Sequence, residues 1–186
     1  PVAGIGLYEM SRKREAGEDT HWSDGFKVAF SPSAAPLVAL GGYLMALFIA
    51  WMMTALMLYN LTMGPGAPAS AMAFLDDVFG TAAGLEMMVF GLALGFVFAC
   101  LVLTTSLISF PMLVDRHVGL PTAVATSVEV AWRNPVTVAL WGMIVALGLV
   151  IGFATLFVGL IFVLPVLGHA TWHLYRRAVV PASDPR

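Results

Sequence analysis

Charged residues are scarce in this sequence. Of its 186 residues, 11% are Asp, Glu, Lys or Arg and 60% are hydrophobic, whereas a soluble domain carries about 25% charged residues. The mean hydropathy is +0.90. So little polar surface cannot enclose a water-soluble domain of this size. The sequence therefore predicts an integral membrane protein.

Other classes of protein lack their usual signals. The single cysteine, Cys100, lies in an apolar run, which excludes an intrachain disulfide framework. The net charge of −2 gives no indication of nucleic acid, and we expect no nucleic-acid partner. We find no Gly-rich phosphate loop, nucleophile elbow or Cys-x-x-Cys motif, and the polar segments are short. We therefore expect no enzymatic activity, no catalytic residues and no cofactor.

Long apolar runs dominate what is present. Residues 34–63 carry no charge over 30 positions, and residues 82–110 carry only Glu86. Each run exceeds the roughly 20 residues that cross a bilayer, and the segment GPGAPAS (64–70) separates them. Residues 135–175 contain no Asp, Glu, Lys or Arg over 41 positions, and one helix of that length would be about 60 Å long. We predict a hairpin there, with its turn near Gly152–Thr155.

The distribution of basic residues supports this topology. Four spans place every Lys and Arg on one side of the membrane, and the loops on the other side carry none. The positive-inside rule then puts both termini of the sequence in the cytoplasm. We expect a multi-pass protein of a bacterial inner membrane.

The predicted fold class is all-α: a polytopic transmembrane helical bundle with four spans in two hairpins and interfacial amphipathic helices. Apolar residues at helical spacing predict one amphipathic helix around Trp22–Phe30 and another at Val124, Val128, Ala131 and Trp132. The segments are a cytoplasmic segment with an amphipathic helix (1–33), a first hairpin (34–110), a cytoplasmic loop with an amphipathic helix (111–134), a second hairpin (135–177) and a cytoplasmic tail (178–186).

A similar sequence pattern recurs along the chain and suggests a helical hairpin repeat. Apolar runs end at Pro1, Pro111 and Pro165, and the first two are followed by an amphipathic stretch and then by Ser31-Pro32 or Asn134-Pro135. Ser or Asn before Pro suits a helix start. By this pattern Pro1 ends an earlier hairpin that is missing from the sequence, and the whole protein has six spans. The repeat is short, and coincidence is the alternative.

Four stretches, "GLYEMSRKREAGEDTHWSDGF", "SFPMLVDRHVG", "RNPVTVALWG" and "LPVLGHATWHLYR", together resemble a bacterial integral-membrane family known as domain of unknown function 2189. The resemblance covers nearly the whole chain, and the closing stretch is its most specific part. It implies a hairpin upstream of "GLYE". It also supports the fold and the membrane location, but it implies no activity.

Two histidines are the sharpest candidates for a ligand site. His169 and His173 are four residues apart and share one helix face, where they could bind a metal or flank a haem. Further ligands could come from Asp115 and His117. The alternative, which we favour, is that both histidines lie at the membrane interface beside its anchoring residues. We expect those anchors to be Trp172, Tyr175, Arg176, Arg177, Arg12, Lys13 and Arg14.

A second set of candidates lies on the second apolar run. Glu86 is the only acid close to a span and could accept a proton or pair with a partner's cation, although it is near enough to the end to reach water. Gly91 and Gly95 have the spacing that allows close helix packing, either within the chain or against a partner.

These features favour an accessory or assembly subunit of a larger inner-membrane complex, for example a respiratory or photosynthetic one, in contact with the lipid bilayer and with partner subunits. The alternative is a small transporter or channel-like protein for an apolar or lipid cargo, because hairpin repeats suit transport folds. The near absence of polar residues in mid-span disfavours it. A haem or metal protein that uses His169 and His173 is a third possibility.

Overall fold

The computed structural model describes residues 8, 10, 34–116 and 118–179. This part of the chain is helical and contains no strand. Its helices are α1 (Ala34–Thr62), α2 (Ala71–Gly80), α3 (Ala82–Ser106), α4 (Ser109–Asp115), α5 (Leu120–Arg133), α6 (Pro135–Ala154) and α7 (Leu160–Ala178). The all-helical prediction is confirmed for these residues.

Three helical stretches are long and apolar enough to cross a membrane: Ala34–Thr62, Ala82–Asp115 and Pro135–Ala154. The second joins α3 and α4. Helix α7 is not among them, since its second half carries polar and basic residues. The chain thus has several membrane-spanning helices, and the fourth span stays a prediction.

The contacts divide the chain into two compact units. In the hairpin unit (Gly42–Val102), Gly91 and Gly95 of α3 face side chains of α1. A Cβ atom on Gly91 would lie 3.7 Å from Leu58 Cδ2, and one on Gly95 would lie 3.9 Å from Trp51 Nε1. Both are ordinary van der Waals distances, so the contact does not itself require glycine. The short helix α2 precedes α3 directly.

The core unit comprises residues 1–41 and 103–186, of which the described part holds one hydrophobic cluster. Helix α4 is its centre: Leu113 is fully buried, and the other apolar residues of the helix are buried or half-buried. It packs against α5 and α7, and α6 packs against α7. The largest buried side chains are Trp172 and Tyr175 of α7, 0% and 1% exposed. This core explains why so short a helix is stable.

The chain breaks its helix between α3 and α4 because of Pro111. Its ring nitrogen cannot donate to Leu107 O, and the ring crowds that carbonyl. The hydroxyl of Ser127, from α5, enters the break: it accepts the Ile108 N–H (3.1 Å) and donates to Thr104 O (2.7 Å). In an unbroken helix Ile108 N–H would bond to Thr104 O directly. A side chain inserted into the ladder is a recognised cause of a kink.

The predicted second hairpin turns at Thr155–Gly159, just after the expected position. Thr155 Oγ1 donates to Ile151 O and Gly152 O (both 3.0 Å) and accepts the Gly159 N–H (2.9 Å). A Cβ on Gly152 would overlap the Leu160 side chain. Because the two helices touch here, any larger residue at position 152 would require the Leu160 side chain to move.

Pro165 does not end a helix, contrary to the expectation of a break. Helix α7 runs from Leu160 to Ala178 with Pro165 inside it. The proline lies in the second turn, so the only helical bond it removes is the one to Ile161 O, in the first turn. The helix therefore continues to the arginines at its end.

The amphipathic helix predicted in the loop is confirmed as α5, but its buried face differs from the expected one. Ala123, Ser127 and Ala131 are buried, whereas Val128 is 41% and Trp132 86% exposed. Small residues face inward because α5 lies close to the helix break. The helix predicted around Trp22–Phe30 lies outside the described residues.

Only one copy of the start of the proposed repeat lies among the described residues. Pro135 is at the start of α6, as the pattern predicts, but Asn134 makes no side-chain cap and instead donates Nδ2–H to Val130 O (3.1 Å). The equivalent positions Pro1, Ser31 and Pro32 lie outside the described residues. The repeat stays a prediction.

Replacing Ser127 with Ala removes the hydroxyl that joins Thr104 O to Ile108 N–H. Leaving a buried donor or acceptor unsatisfied costs about 1–3 kcal/mol, so we expect Ser127→Ala to lower the free energy of unfolding by that amount. The measurement is SDS-induced unfolding in mixed micelles, followed by far-UV circular dichroism.

Thr126→Ala is the matched control. The Thr126 hydroxyl donates to Thr122 O within its own helix, on the exposed side, and its loss changes stability by less than about 0.5 kcal/mol. Equal effects of the two substitutions would contradict the role given to Ser127.

Candidate functional site

A polar cluster closes the end of the hydrophobic core. Asp115, the last residue of α4, accepts a hydrogen bond of 2.6 Å from the Tyr175 hydroxyl on α7. Two guanidinium groups, those of Arg116 and Arg176, each lie 3.8 Å from the same carboxylate oxygen. Ion pairs this long and partly exposed contribute less than about 1 kcal/mol each. The short hydrogen bond to the charged carboxylate is the stronger link between α4 and α7.

Tyr175 is held in its neutral form. Burial raises the pKa of its phenol, since the phenolate would lose its hydration. The hydrogen bond to Asp115 and the negative charge of that carboxylate raise the pKa further, and Arg116 opposes them only in part. The phenol therefore acts as a hydrogen-bond donor at neutral pH.

The cluster brings together three of the stretches singled out in the sequence. Tyr8 of "GLYE" packs against the core and is hydrogen-bonded to Thr171 of α7, and burial raises its pKa. Asp115 belongs to "SFPMLVD", and Tyr175 to "HATWHLYR". Segments far apart in the chain thus meet at neighbouring turns of α7.

Trp172 and Tyr175 differ from the expectation of exposed interface anchors. Their rings are 5.6 Å apart and wholly buried, because they share the face of α7 that packs on α4. The indole Nε1 of Trp172 has no hydrogen-bond partner among the residues that the structure describes. Within this chain, both aromatic residues serve as core residues.

The predicted basic anchors fall in different settings. Arg176 is partly buried beside Asp115, whereas Arg177 is exposed and lines a pocket between the ends of α6 and α7. Arg12, Lys13 and Arg14 lie outside the described residues.

The histidines lie on α7 as predicted, His169 half-buried and His173 exposed. Among the described residues, no three His, Cys, Asp or Glu side chains come close enough to hold a metal ion. Asp115, one of the expected donors, accepts its hydrogen bond from Tyr175, and His117 is not described. A metal or haem at His169 and His173 stays a prediction.

The three candidate residues on α3 lie in different parts of the helix: Glu86 is near its start, and Gly91 and Gly95 are further along. Glu86 is exposed, one turn into the helix. Gly91 and Gly95 face α1 of the same hairpin unit, which favours their use in packing within the chain. Their contact with a partner, and a proton or partner role for Glu86, stay predictions.

Two features of the structure were not predicted from the sequence. The first is the role of Ser127, although its helical spacing with Ala123 and Ala131 indicates a face of small, buried residues. The pairing of Asp115 with Tyr175 joins residues 60 positions apart, and no spacing rule reaches that far.

A comparison with models of protein families shows which family the chain belongs to. The model of a family described as "Predicted integral membrane protein (DUF2189)" matches residues 1–115. The chain belongs to this family. The match ends at Asp115 and leaves the closing stretch with Tyr175 outside it. No curated protein and no solved structure matches the chain, so membership in the family supports the membrane location and adds no activity.

Tyr175→Phe should loosen the attachment of α4 to α7. A hydrogen bond to a charged group contributes about 1.5–3 kcal/mol, and we expect a loss of that size in the free energy of unfolding. Tyr59→Phe is the control, because the Tyr59 hydroxyl donates to a neutral acceptor, Gly66 O (2.6 Å). A smaller loss in Tyr175→Phe than in Tyr59→Phe would argue against the Asp115 link.

The raised pKa of Tyr175 also predicts a dependence on alkaline pH. Below the ordinary tyrosine value of 10.0 the phenol is neutral in both the folded and the unfolded state. Above it, the unfolded state ionises first and binds fewer protons, so stability falls as the pH rises towards the folded pKa, by up to about 1.4 kcal/mol per pH unit. Unfolding curves between pH 9 and 11.5 should show a steeper fall for the native chain than for Tyr175→Phe. Identical slopes would rule out this origin.

Proposed function

We propose that this integral membrane protein is a non-catalytic accessory or assembly subunit of a larger bacterial inner-membrane complex. It would hold partner subunits through the apolar faces of its spans, with both termini of the described chain in the cytoplasm. The one-sided distribution of Lys and Arg supports that orientation.

The observation that carries the proposal is the exposure of the spans. In the most apolar window of Ala82–Asp115 no residue is buried, and in the other two spans 11% of that window is buried. Large side chains such as Leu61 (73%) and Leu92 (71%) stand free. The chain buries its core elsewhere and leaves its longest helices to lipid or to the helices of another protein.

A groove on the hairpin unit supports a specific contact. It has a volume of about 290 Å³ and is lined by side chains of α1 and α3, among them Leu44, Phe48, Trp51 and Phe98, with Gly95 on its wall. The lining is nearly all apolar. Such a groove fits a protruding side chain of a neighbouring helix, in the manner of a knob in a hole.

The same groove favours the second candidate, a small transporter or channel-like protein for an apolar or lipid cargo. An acyl chain is also an apolar, narrow occupant. The polar side chain of mid-span α1, Thr54, donates to Ala50 O of its own helix (2.8 Å), so it is engaged within the helix rather than arranged for a polar substrate. A polar cargo is therefore disfavoured.

The test is purification of the tagged chain from its native membranes in mild detergent, with quantitative mass spectrometry of the proteins that co-elute. We expect one or more membrane proteins at equal stoichiometry. Gly95→Leu fills the groove and should reduce their recovery at least about tenfold, the effect of losing roughly 1.4 kcal/mol of contact energy.

Ala93→Leu is the control: it adds the same side chain two residues away, at an exposed position on α3. Equal recovery from all three proteins would remove the groove from the interface. Elution of the native chain alone or only with copies of itself would overturn the accessory role, and lipid-transfer assays would then address the second candidate.

A further inference from the structure

A second pocket lies in the core unit, where α6 begins and α7 ends. Its volume is about 270 Å³. Its floor is apolar and buried, with Ile108 fully buried and Leu107 and Val138 each 6% exposed. Its rim is polar and exposed, with Asn134, Thr137 and Arg177. The pocket is thus amphipathic from floor to rim.

Its place along the chain matches the boundary between membrane and water. Asn134 and Thr137 stand at the water-side end of the span that starts at Pro135, and Arg177 is in the last turn of α7. The floor continues into the apolar part of the helices. A ligand in this pocket meets polar groups at one end and hydrocarbon at the other.

The rim is positively charged. Arg177 makes no hydrogen bond or ion pair within the described part of the chain, unlike Arg176 beside Asp115. The start of α6 adds a positive partial charge, and Asn134 leaves that start without a side-chain cap, because its amide group turns back to Val130 O. Among the residues that the structure describes, no acidic side chain lines the pocket. Charge complementarity selects an anion.

We propose that this pocket is a binding site for one anionic phospholipid, whose phosphate lies against Arg177 while the adjoining glycerol and the first part of an acyl chain cover Leu107, Val130 and Leu174. Basic pockets between helices at the membrane interface are the usual sites for acidic headgroups. The volume is below the roughly 300–1,000 Å³ of sites that enclose a whole small molecule, which suits a ligand whose tails remain in the bilayer.

The site depends on the helix break already described. Leu107 and Ile108 are the two residues between α3 and α4, and the Ser127 hydroxyl holds Ile108 N–H there. In a continuous helix these side chains would follow the ladder of α3 and would not form a floor. The bound lipid therefore contacts the segment on which the core is built.

The test is native mass spectrometry of the purified full chain in a neutral detergent, titrated with phosphatidylglycerol or with phosphatidylcholine of the same acyl chains. We expect the first phosphatidylglycerol to bind about tenfold more tightly than the first phosphatidylcholine, as a charge-assisted hydrogen bond to an arginine provides. Arg177→Gln should abolish this preference. The variant should fold, because the side chain is exposed and makes no bond within the described chain.

Two further variants separate this site from general attraction of lipid to a basic surface. Arg133→Gln removes the same charge from an exposed residue paired with Glu129 and should keep the preference. Ala178→Trp keeps every charge but fills the pocket beside Arg177, and it should weaken the binding of phosphatidylglycerol as much as Arg177→Gln does. Circular dichroism and size-exclusion profiles confirm that each variant is folded.

Three results would overturn the proposal. One is an equal affinity of the native chain for both lipids, and another is an equal loss in Arg133→Gln and Arg177→Gln. The third is full competition by inorganic phosphate, which would make the pocket a site for a soluble anion. The assay uses the isolated chain, so its outcome is independent of whether partner subunits exist.

Discussion

The hydroxyl of Ser127 replaces one hydrogen bond of a membrane helix, and much of the core depends on this replacement. It stands between Thr104 O and Ile108 N–H at the break, where an unsatisfied buried donor or acceptor would cost about 1–3 kcal/mol. The Ser127 hydroxyl thereby lowers the energetic cost of the helix break that Pro111 causes. Helix α4 can then end a membrane span and still enter the core.

The remainder of the core follows from the position of α4. Its buried residues pack on the aromatic pair Trp172 and Tyr175, and its last residue, Asp115, receives the Tyr175 hydroxyl. Ordered packing is thus gathered near the ends of the spans, while the spans themselves keep apolar surfaces exposed. This arrangement suits a membrane-embedded protein whose helices contact lipid.

Most of the helices could be predicted from the sequence, because their signals are local. Runs of apolar residues and the segment 64–70 mark α1, α3 and the turn between α1 and α2, and a hairpin was required within 135–175 by length alone. The settings of Pro165, which lies inside a helix, and of Trp172, which is buried in the core, could not be predicted in this way. A proline in the second turn of a helix and a tryptophan near an interface have two possible settings each, and the neighbours that decide between them are distant in the chain.

The sequence by itself determined the class of the protein, its membrane location and the approximate extent of its long apolar helices, since hydropathy and helix signals act over one to five turns of chain. Only the tertiary structure decided which face of α5 is buried, that Tyr175 binds Asp115, and that Arg177 faces a pocket while Arg176 closes the core. The physical reason is that these contacts join residues far apart in the chain, 60 positions in the case of Asp115 and Tyr175. Their partners are selected by the packing of whole helices, which no local pattern encodes.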